Sequence, residues 1–331
     1  MANKHASLDA LFADIADAIR EKTGDTTTIV ADDFPDVIRD RLQVIPPPPA
    51  YLTFSSPSSF TLAVNDATKH WEGTLEYSTD TSAWATWDGT TTLTSATSGS
   101  DNVLYLRGTG NTVITGYDQN CRWVLTGSDI ACIGDIDTLL DYTTVEAGNH
   151  PPLSDDCYGY MFYNCTALTQ APALPATTLA DYCYEYMFYG CTGLTQAPAL
   201  PATTLTSYCY QNMFRGCTSL TQAPALPATM LAPNCYRSIF RDCTSLTQAP
   251  ALPATTLADY CYQNMFRGCT SLKLSSTQTG EYTVAYRIPT AGNGTTATNA
   301  LSNMFDSTGG TFTGAPEINT TYYLSNTNMV V

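Results

Sequence analysis

Apolar and polar positions alternate in three different ways along this chain, and each pattern predicts a different structure. Over residues 1–45, apolar side chains recur every three or four positions, which is typical of one face of a helix. We predict a short α-helical head over this range. A piece of this size buries little core alone, so we expect its apolar stripe to dock or oligomerise through Leu8, Phe12, Ile15 and Ile19. A helical hairpin folded on itself is the alternative.

A different pattern follows the prolines at 46–49, which predict a stiff linker over residues 46–50. Residues 51–130 contain short runs rich in β-formers, separated by Gly, Ser and Asn clusters at the spacing of a β-sandwich. We therefore predict an all-β, sandwich-like module there. Its tryptophans are expected in the core, with a sugar-binding platform as the alternative; they are Trp71, Trp84, Trp87 and Trp123.

The third pattern is a repeat of constant length without insertions. Copies begin at Leu168, Leu194, Leu220 and Leu246, and the segment LTQAPALPAT is identical in all four. A partial copy precedes them and a degenerate copy ends the chain. Such a period predicts stacked units with an atypical terminal cap over residues 131–331.

Ten of the 12 cysteines belong to this repeat, two in each copy. Seven residues separate the two cysteines of a pair, which is not a zinc-binding spacing, and no histidine accompanies them. Metal binding and disulfides are the functional interpretations. We favour buried thiols that act as small apolar residues.

The phrase MFxGCTSL, found at Met213–Leu220 and Met265–Leu272, resembles the BspA-like leucine-rich repeats of bacterial surface proteins. The segment ADAIREKTG at residues 16–24 is similar to the N-termini of phage or prophage tail-associated proteins. With these resemblances, the expected fold is mixed: an α-helical head, an all-β sandwich-like module and a leucine-rich-repeat-type solenoid with 26-residue coils and a degenerate C-terminal cap. The resemblance implies adhesion or host recognition and supplies no catalytic residues.

The composition narrows the function further. The net charge is −16, with 30 acidic against 14 basic residues, so the chain lacks the cations that displace counterions from nucleic acid. No apolar run is long enough to span a membrane, and the first residues show no apolar signal segment. We expect cytoplasmic synthesis, no nucleic-acid partner and no membrane insertion.

No catalytic motif is present, so we predict a non-enzymatic protein without a cofactor or metal. One cluster leaves the metal question open: Asp129, Asp135, Asp137 and Asp141 lie close together in the sequence. These residues lack the spacing of a calcium-binding loop, and we expect them to be solvated acids.

Differences between the near-identical copies gather at three positions after the cysteine–tyrosine pair. We expect these positions to be exposed, and Tyr, Asn, Gln and Arg are typical of recognition surfaces. The candidate ligand-binding residues are Tyr186, Tyr189, Gln211, Asn212, Arg215, Arg237, Arg241, Gln263, Asn264 and Arg267. Solvated variation left by repeat duplication is the alternative.

These expectations combine into one hypothesis. The protein is an attachment protein of a phage or prophage tail, either receptor-binding or accessory, that recognises a bacterial surface glycan or protein through its repeats. Its head would contact other tail proteins or form a homo-oligomer, and its location would be the virion. The alternative is a bacterial cell-surface adhesin of the BspA-like type.

Deleting residues 1–45 is expected to leave a folded, monomeric remainder, because the deletion removes the apolar stripe at Leu8–Ile19. Light scattering would measure the mass per particle before and after the deletion. The same mass in both, together with normal entry of the shortened chain into its assembly, would show that the head has another role.

Overall fold

A computed structural model describes residues 51–66 and 70–331, and most of its regular structure is β-strand. The predicted head over residues 1–45 and the linker over 46–50 lie outside the described residues. The β-module, as we call the segment from residue 51 to residue 133, contains nine strands: β1 Leu52–Ser56, β2 Thr61–Val64, β3 Thr74–Ser78, β4 Ala85–Trp87, β5 Leu93–Thr94, β6 Ala96–Ser98, β7 Asp101–Thr109, β8 Trp123–Thr126 and β9 Ile130–Ile133.

Two sheets build the β-module. With β10 (Leu168–Gln170), the larger sheet has the order β10–β9–β1–β7–β3–β4, and β6 also pairs with β7; the smaller sheet has the order β5–β2–β8. Aromatic rings fill its core: the ring centroids of Trp87 and Trp123 lie 5.5 Å apart, and those of Trp71 and Trp87 lie 5.3 Å apart. The predicted core position is confirmed for these three tryptophans, whereas Trp84 is half-buried.

The first repeat continues the β-module without a break in the core. Strand β9 pairs in parallel with β10, and the Trp123 amide donates to the Met161 carbonyl at 2.8 Å. The ring of Phe162 lies 6.2 Å from that of Trp123. Helix α1 (Thr138–Glu146), whose backbone is kinked at Asp141, lies against β7. The β-module therefore serves as the surface on which the first repeat stacks.

Each repeat folds its Cys-Tyr segment into a row of turns. Within a copy, every second amide donates to the carbonyl three residues earlier, as Met187 N does to Tyr184 O at 3.3 Å. The amides between them donate to the next copy, as Phe188 N does to Met213 O at 2.9 Å. Backbone polar groups that would be costly to bury unpaired are satisfied half within a copy and half between copies. We call the stacked copies between residues 153 and 272 the repeat stack.

A left-handed backbone conformation at every fourth residue produces these turns. Tyr182, Tyr186 and Gly190 have φ values of 59°, 55° and 70°, and the same register recurs in the other copies. Glycine, Asn and Asp adopt this conformation most readily, whereas other residues pay about 1–2 kcal/mol. Asn212, Asn264 and Asp242 occupy such positions, so the residue types fit the turns that they form.

The predicted fold class is wrong. The described residues form a mostly β structure of several small sheets with a single α-helix, not a mixed fold built on a leucine-rich-repeat-type solenoid. Isolated bridges, such as Thr178 to Thr204 and Thr204 to Met230, join neighbouring copies in place of a continuous parallel sheet. The reason lies in each copy: its prolines donate no amide hydrogen bond, and its left-handed residues bend the chain every fourth position.

The C-terminal segment lies against the last full copy. Its first four strands are β12 Lys273–Ser275, β13 Tyr282–Ile288, β14 Gly309–Gly310 and β15 Thr320–Ser325. They form a sheet in the order β13–β15–β12–β14. The final strand, β16 (Met329–Val330), pairs with β11 (Gln248–Ala249) of the repeat stack. The Phe305 ring stacks on that of Phe266 at 6.0 Å and contacts Tyr322 at 5.4 Å. The apolar interior of the repeat stack is thereby covered at this end.

All twelve cysteines are buried free thiols, as predicted for the ten of the repeat. Burial raises the pKa of Cys209 and of Cys261 to about 12, so both stay protonated at neutral pH. From Cys191 onward, the second cysteine of a copy donates to a phenylalanine carbonyl one copy earlier, as Cys217 Sγ does to Phe188 O at 3.1 Å, whereas Cys165 donates to Trp123 O. Among the described residues, Cys209 donates to no such carbonyl.

This difference predicts unequal costs for two similar substitutions. Cys209→Ser is expected to lower the free energy of unfolding by about 1–3 kcal/mol, because it buries a hydroxyl without an acceptor carbonyl. Cys217→Ser is expected to cost about 1 kcal/mol less, since its hydroxyl donates to Phe188 O. Chemical denaturation measures both.

Alanine at each position is the matched control, because it removes similar volume and donates to nothing. Cys209→Ala and Cys217→Ala should therefore cost similar amounts. A Cys217→Ser variant as unstable as Cys209→Ser would contradict the role of the thiol hydrogen bond. A large loss of stability in reductant would contradict free thiols altogether.

Candidate functional site

One line of side chains runs along the repeat stack. Each copy contains three left-handed residues, and the line is formed by the residue immediately before the third of them. We call it the Tyr–Arg file; its members are Tyr163, Tyr189, Arg215, Arg241 and Arg267. All five are half-buried, so each presents part of its side chain to solvent. Stacking of the turns places them side by side although neighbours lie a full repeat apart in sequence. The file begins aromatic and ends cationic.

The aromatic end is a compact patch of four rings, which we call the tyrosine quartet. Tyr163 stacks on Tyr189, and Tyr160 stacks on Tyr186, each pair with centroids 4.7 Å apart and nearly parallel rings. The two pairs lie 5.7 Å apart, whether measured from Tyr160 to Tyr163 or from Tyr186 to Tyr189. Tyr160 and Tyr186 adopt the left-handed conformation where later copies use Asn212 and Asn264. Tyrosine there costs backbone energy, and ring stacking offsets part of it.

The cationic end contains one internal counter-charge. Arg215 lies with its Cζ 5.4 Å from the Tyr189 ring centroid, which is within cation–π range. The Asp242 carboxylate lies 3.5 Å from Arg215 Nε and 3.3 Å from Arg241 Nε. Burial, followed by the nearby charge of Arg215, lowers the pKa of Arg241. Among the described residues, Arg267 has no carboxylate within ion-pair distance.

Two glycines make room for side chains of the preceding copy. A Cβ at Gly190 would collide with Asn164 Oδ1, and a Cβ at Gly268 would collide with Asp242 Oδ1. Both glycines also have positive φ. A polar side chain at this position is therefore followed by glycine one copy later.

Several candidate residues lie deeper than expected. Gln211, Asn212 and Asn264 are buried, with 8%, 5% and 8% of their surface exposed, and Gln263 is half-buried. The expectation that the variable positions are exposed is therefore wrong for the first three, because stacked copies cover each other at the left-handed positions of Asn212 and Asn264 and at the neighbouring Gln211. The Gln211 Oε1 and Asn264 Oδ1 atoms face no donor in the described part of the chain and are inaccessible to solvent.

The remaining candidates stay at the surface in part. Tyr186, Tyr189, Arg215, Arg241 and Arg267 belong to the quartet or to the file, as described above. Arg237 donates from Nη1 to Asn234 Oδ1 at 3.4 Å and lies 5.9 Å from the Tyr260 ring centroid.

Sequence comparison missed three residues of this surface: Tyr160, Tyr163 and Asp242. The two tyrosines precede Leu168, where the partial copy lacks the LTQAPALPAT segment that marks the others. Counting back one repeat length from Tyr186 and Tyr189 identifies both. Asp242 takes the place of a glycine, Gly216 and Gly268, in the neighbouring copies.

A half-buried carboxyl group lies beside the tyrosine quartet. Gln211 Nε2 donates to Glu185 Oε1 at 2.6 Å. Burial raises the pKa of Glu185 to about 7, although the hydrogen bond from Gln211 opposes the shift. The equivalent residue is Gln in two later copies, Gln211 and Gln263, and Arg237 in the remaining one.

The predicted aspartate cluster is smaller than expected and includes a histidine. The ligand atoms of Asp135, Asp137 and His150 lie within 4.8 Å of one another, as a bound metal ion would require. Asp137 is fully buried, contrary to the expected solvation, and accepts from Tyr158 Oη at 3.2 Å. Burial, with the nearby charge of Asp135, raises the pKa of Asp137 to about 6, and His150 Nδ1 lies 3.2 Å from it. These partners account for the carboxyl group without an ion.

The other two aspartates have local roles. Asp141 Oδ1 accepts from the Thr143 hydroxyl at 2.6 Å and from the Thr144 amide at 3.0 Å. Asp129 adopts a left-handed conformation in the turn before β9.

No family model, no curated protein and no solved structure matches this chain. In the described ranges, no helix has the length and apolar character needed to cross a membrane.

The raised pKa of Glu185 predicts a pH-dependent stability. Its folded pKa of about 7 lies above the ordinary value of 4.5, so the parent protein loses stability as pH rises between them. Glu185→Gln is expected to leave stability unchanged near pH 4 and to raise it by about 1–2 kcal/mol at pH 8, allowing for partial exposure. Urea denaturation at the two pH values measures the difference.

Glu146→Gln removes an exposed carboxyl group and serves as the matched control. It should alter stability equally at both pH values. If Glu185→Gln behaves like this control, the carboxyl group of Glu185 is ionised at little cost in the folded protein.

Proposed function

We propose that this chain is a non-enzymatic attachment protein that recognises a bacterial surface glycan or protein through the Tyr–Arg file and the tyrosine quartet. The observation that carries the proposal is a row of partly exposed rings and guanidinium groups held at fixed spacing by main-chain hydrogen bonds. Rigid aromatic side chains provide contact area at low entropic cost, and arginine adds several hydrogen-bond donors.

The stiffness of the site supports binding more than it supports catalysis. The neighbouring copies are tied at every second residue of the turn segment, so the side chains lose little freedom when a ligand binds. The residues of the file and the quartet are tyrosines and arginines, with Asp242 beside them, and they contain no pair of facing carboxyl groups suited to glycoside hydrolysis.

The tail assignment rests on the similarity of the segment at residues 16–24 to phage and prophage tail-associated proteins. In this proposal the N-terminal head joins the protein to other tail components and the repeats point to the host cell. The protein is then made in the cytoplasm and carried on the virion. Electron microscopy of purified particles with an antibody against the repeats tests the location, and labelling of the bacterial envelope without label on tails would support the adhesin alternative.

Replacing the three arginines together tests the surface itself. The variant Arg215→Ala, Arg241→Ala and Arg267→Ala is expected to bind host cells at least about tenfold more weakly, because it loses every guanidinium group of the Tyr–Arg file. Fluorescent protein and flow cytometry over a panel of bacterial strains measure binding. The melting temperature should stay within a few degrees of the parent, as is usual for surface changes.

Two results would contradict the proposal. One is a triple variant that binds cells as well as the parent does. The other is release of reducing sugar from surface polysaccharides by the parent protein, which would identify an enzyme. A variant of the exposed Lys273, Lys273→Ala, removes one positive charge away from the file and controls for a general effect of charge.

A further inference from the structure

The Asp242 carboxylate shows what the cationic end of the Tyr–Arg file accepts. It lies between two guanidinium groups of adjacent copies, 3.5 Å from Arg215 Nε and 3.3 Å from Arg241 Nε. A single carboxylate oxygen, Oδ2, makes both contacts as ion pairs, and Arg241 Nε has no hydrogen-bond partner in the described residues. The chain thus contains an internal carboxylate at one of the two places where arginines of the file are neighbours.

The other place has no internal carboxylate in an ion pair with both arginines, although Asp242 Oδ1 lies against Gly268 and Asp306 occupies the position of the line after Arg267. Arg241 and Arg267 are neighbours in the next step of the file, and the residue equivalent to Asp242 is Gly268. In the described chain, no carboxylate lies within ion-pair distance of Arg267. Burial and then the charge of Arg215 lower the pKa of Arg241, Asp242 opposes them, and the charge of Arg267 adds a smaller lowering. An external carboxylate between Arg241 and Arg267 would relieve the repulsion between them.

The aromatic end shows what lies next to that carboxylate. Tyr163 and Tyr189 continue the same line with their rings stacked face to face at 4.7 Å, so they present ring edges and hydroxyl groups to a ligand. Tyrosine hydroxyl groups donate to and accept from the hydroxyl groups of sugars. A linear polymer following the file meets tyrosines first and arginines afterwards.

We infer that the Tyr–Arg file binds a linear, carboxylated polysaccharide, with one carboxylate between Arg241 and Arg267 and earlier sugar units against Tyr189 and Tyr163. This inference rests on the proposed function and specifies its ligand. The net charge of the whole chain is −16, so a polyanion is repelled by the surface outside the file and is held through the file alone.

Binding of the full chain to defined polymers tests the inference. Polygalacturonate and polysialic acid supply carboxylates, dextran sulfate supplies sulfates, and unmodified dextran is neutral. We expect both carboxylated polymers to bind at low salt and to weaken at least about tenfold by 0.5 M NaCl, because the contacts are exposed charge pairs. Dextran should not bind. A galacturonate dimer should bind much more weakly than the polymer, since it cannot reach from Arg267 to Tyr189.

Two single variants move binding in opposite directions. Asp242→Asn keeps the shape and the left-handed conformation, removes the internal carboxylate and is expected to tighten polygalacturonate binding about three- to tenfold. Arg267→Ala is expected to weaken it at least about fivefold, and Arg267→Lys to restore part of the loss, because lysine keeps the charge without the planar pair of donors. Lys273→Ala should change nothing. Melting temperatures of all four variants show whether each one is folded.

The binding results for the polymers and the variants either support or overturn the inferred ligand. Tighter binding by Asp242→Asn together with weaker binding by Arg267→Ala supports the inference. Failure of both carboxylated polymers to bind, preference for dextran sulfate over them, or indifference of binding to both variants overturns it. The proposed function is tested separately by cells: arginine-dependent cell binding without polymer binding leaves attachment standing with another ligand, whereas polymer binding without cell binding overturns the attachment role alone.

Discussion

Main-chain hydrogen bonds between successive copies are the constraint on which the rest of this structure depends. Half of the amides in each turn segment close a turn, and the other half reach the next copy, as Tyr184 N does to Cys209 O at 3.1 Å. The pairing fixes the register within each turn segment but not the length of chain between segments: Tyr262 N donates to Ala300 O across the longer degenerate copy as Tyr236 N does to Cys261 O. The left-handed residue at every fourth position follows from it. Side chains then align in files because their backbones already do.

The files differ in depth, and depth decides their chemistry. Buried files of Tyr, Phe and Cys hold the copies together: Tyr184 stacks on Tyr210 at 5.7 Å and Phe188 on Phe214 at 5.6 Å. The Tyr–Arg file lies at the edge of the same turns, where part of each side chain meets water. The same interaction that fills the interior therefore sets the spacing of the candidate binding surface, and an attachment protein gains a ligand site without a flexible loop.

Much of this arrangement was predictable from the sequence, and its limits have physical causes. Exact repetition of LTQAPALPAT predicted stacked copies, and the spacing of the cysteines predicted buried thiols, which the structure confirms. The fold class failed because a leucine and cysteine pattern does not reveal that every fourth residue is left-handed, which replaces strands with turns. The site was recovered in part for the same reason: variation marked Arg215, Arg241 and Arg267, but it also marked Asn212, which the turn geometry buries. Tyr163 was not predicted as a site residue because its copy lacks the LTQAPALPAT segment.

The glycines at 190 and 268 limit how such an array grows. Each leaves room for a side chain of the copy before it, Asn164 or Asp242, whereas Gly216 lies next to Gly190 and has only its backbone as a close neighbour. A copy bearing Asp or Asn at this position therefore tolerates a glycine-bearing copy after it and rejects a second copy like itself. Duplicating the Asp242 copy alone would create that succession and would force its side chain to move, whereas duplicating it together with the Gly268 copy would not. Packing therefore constrains the order of the copies and not only their number, and a lengthened array is expected to grow in blocks that end in a glycine copy.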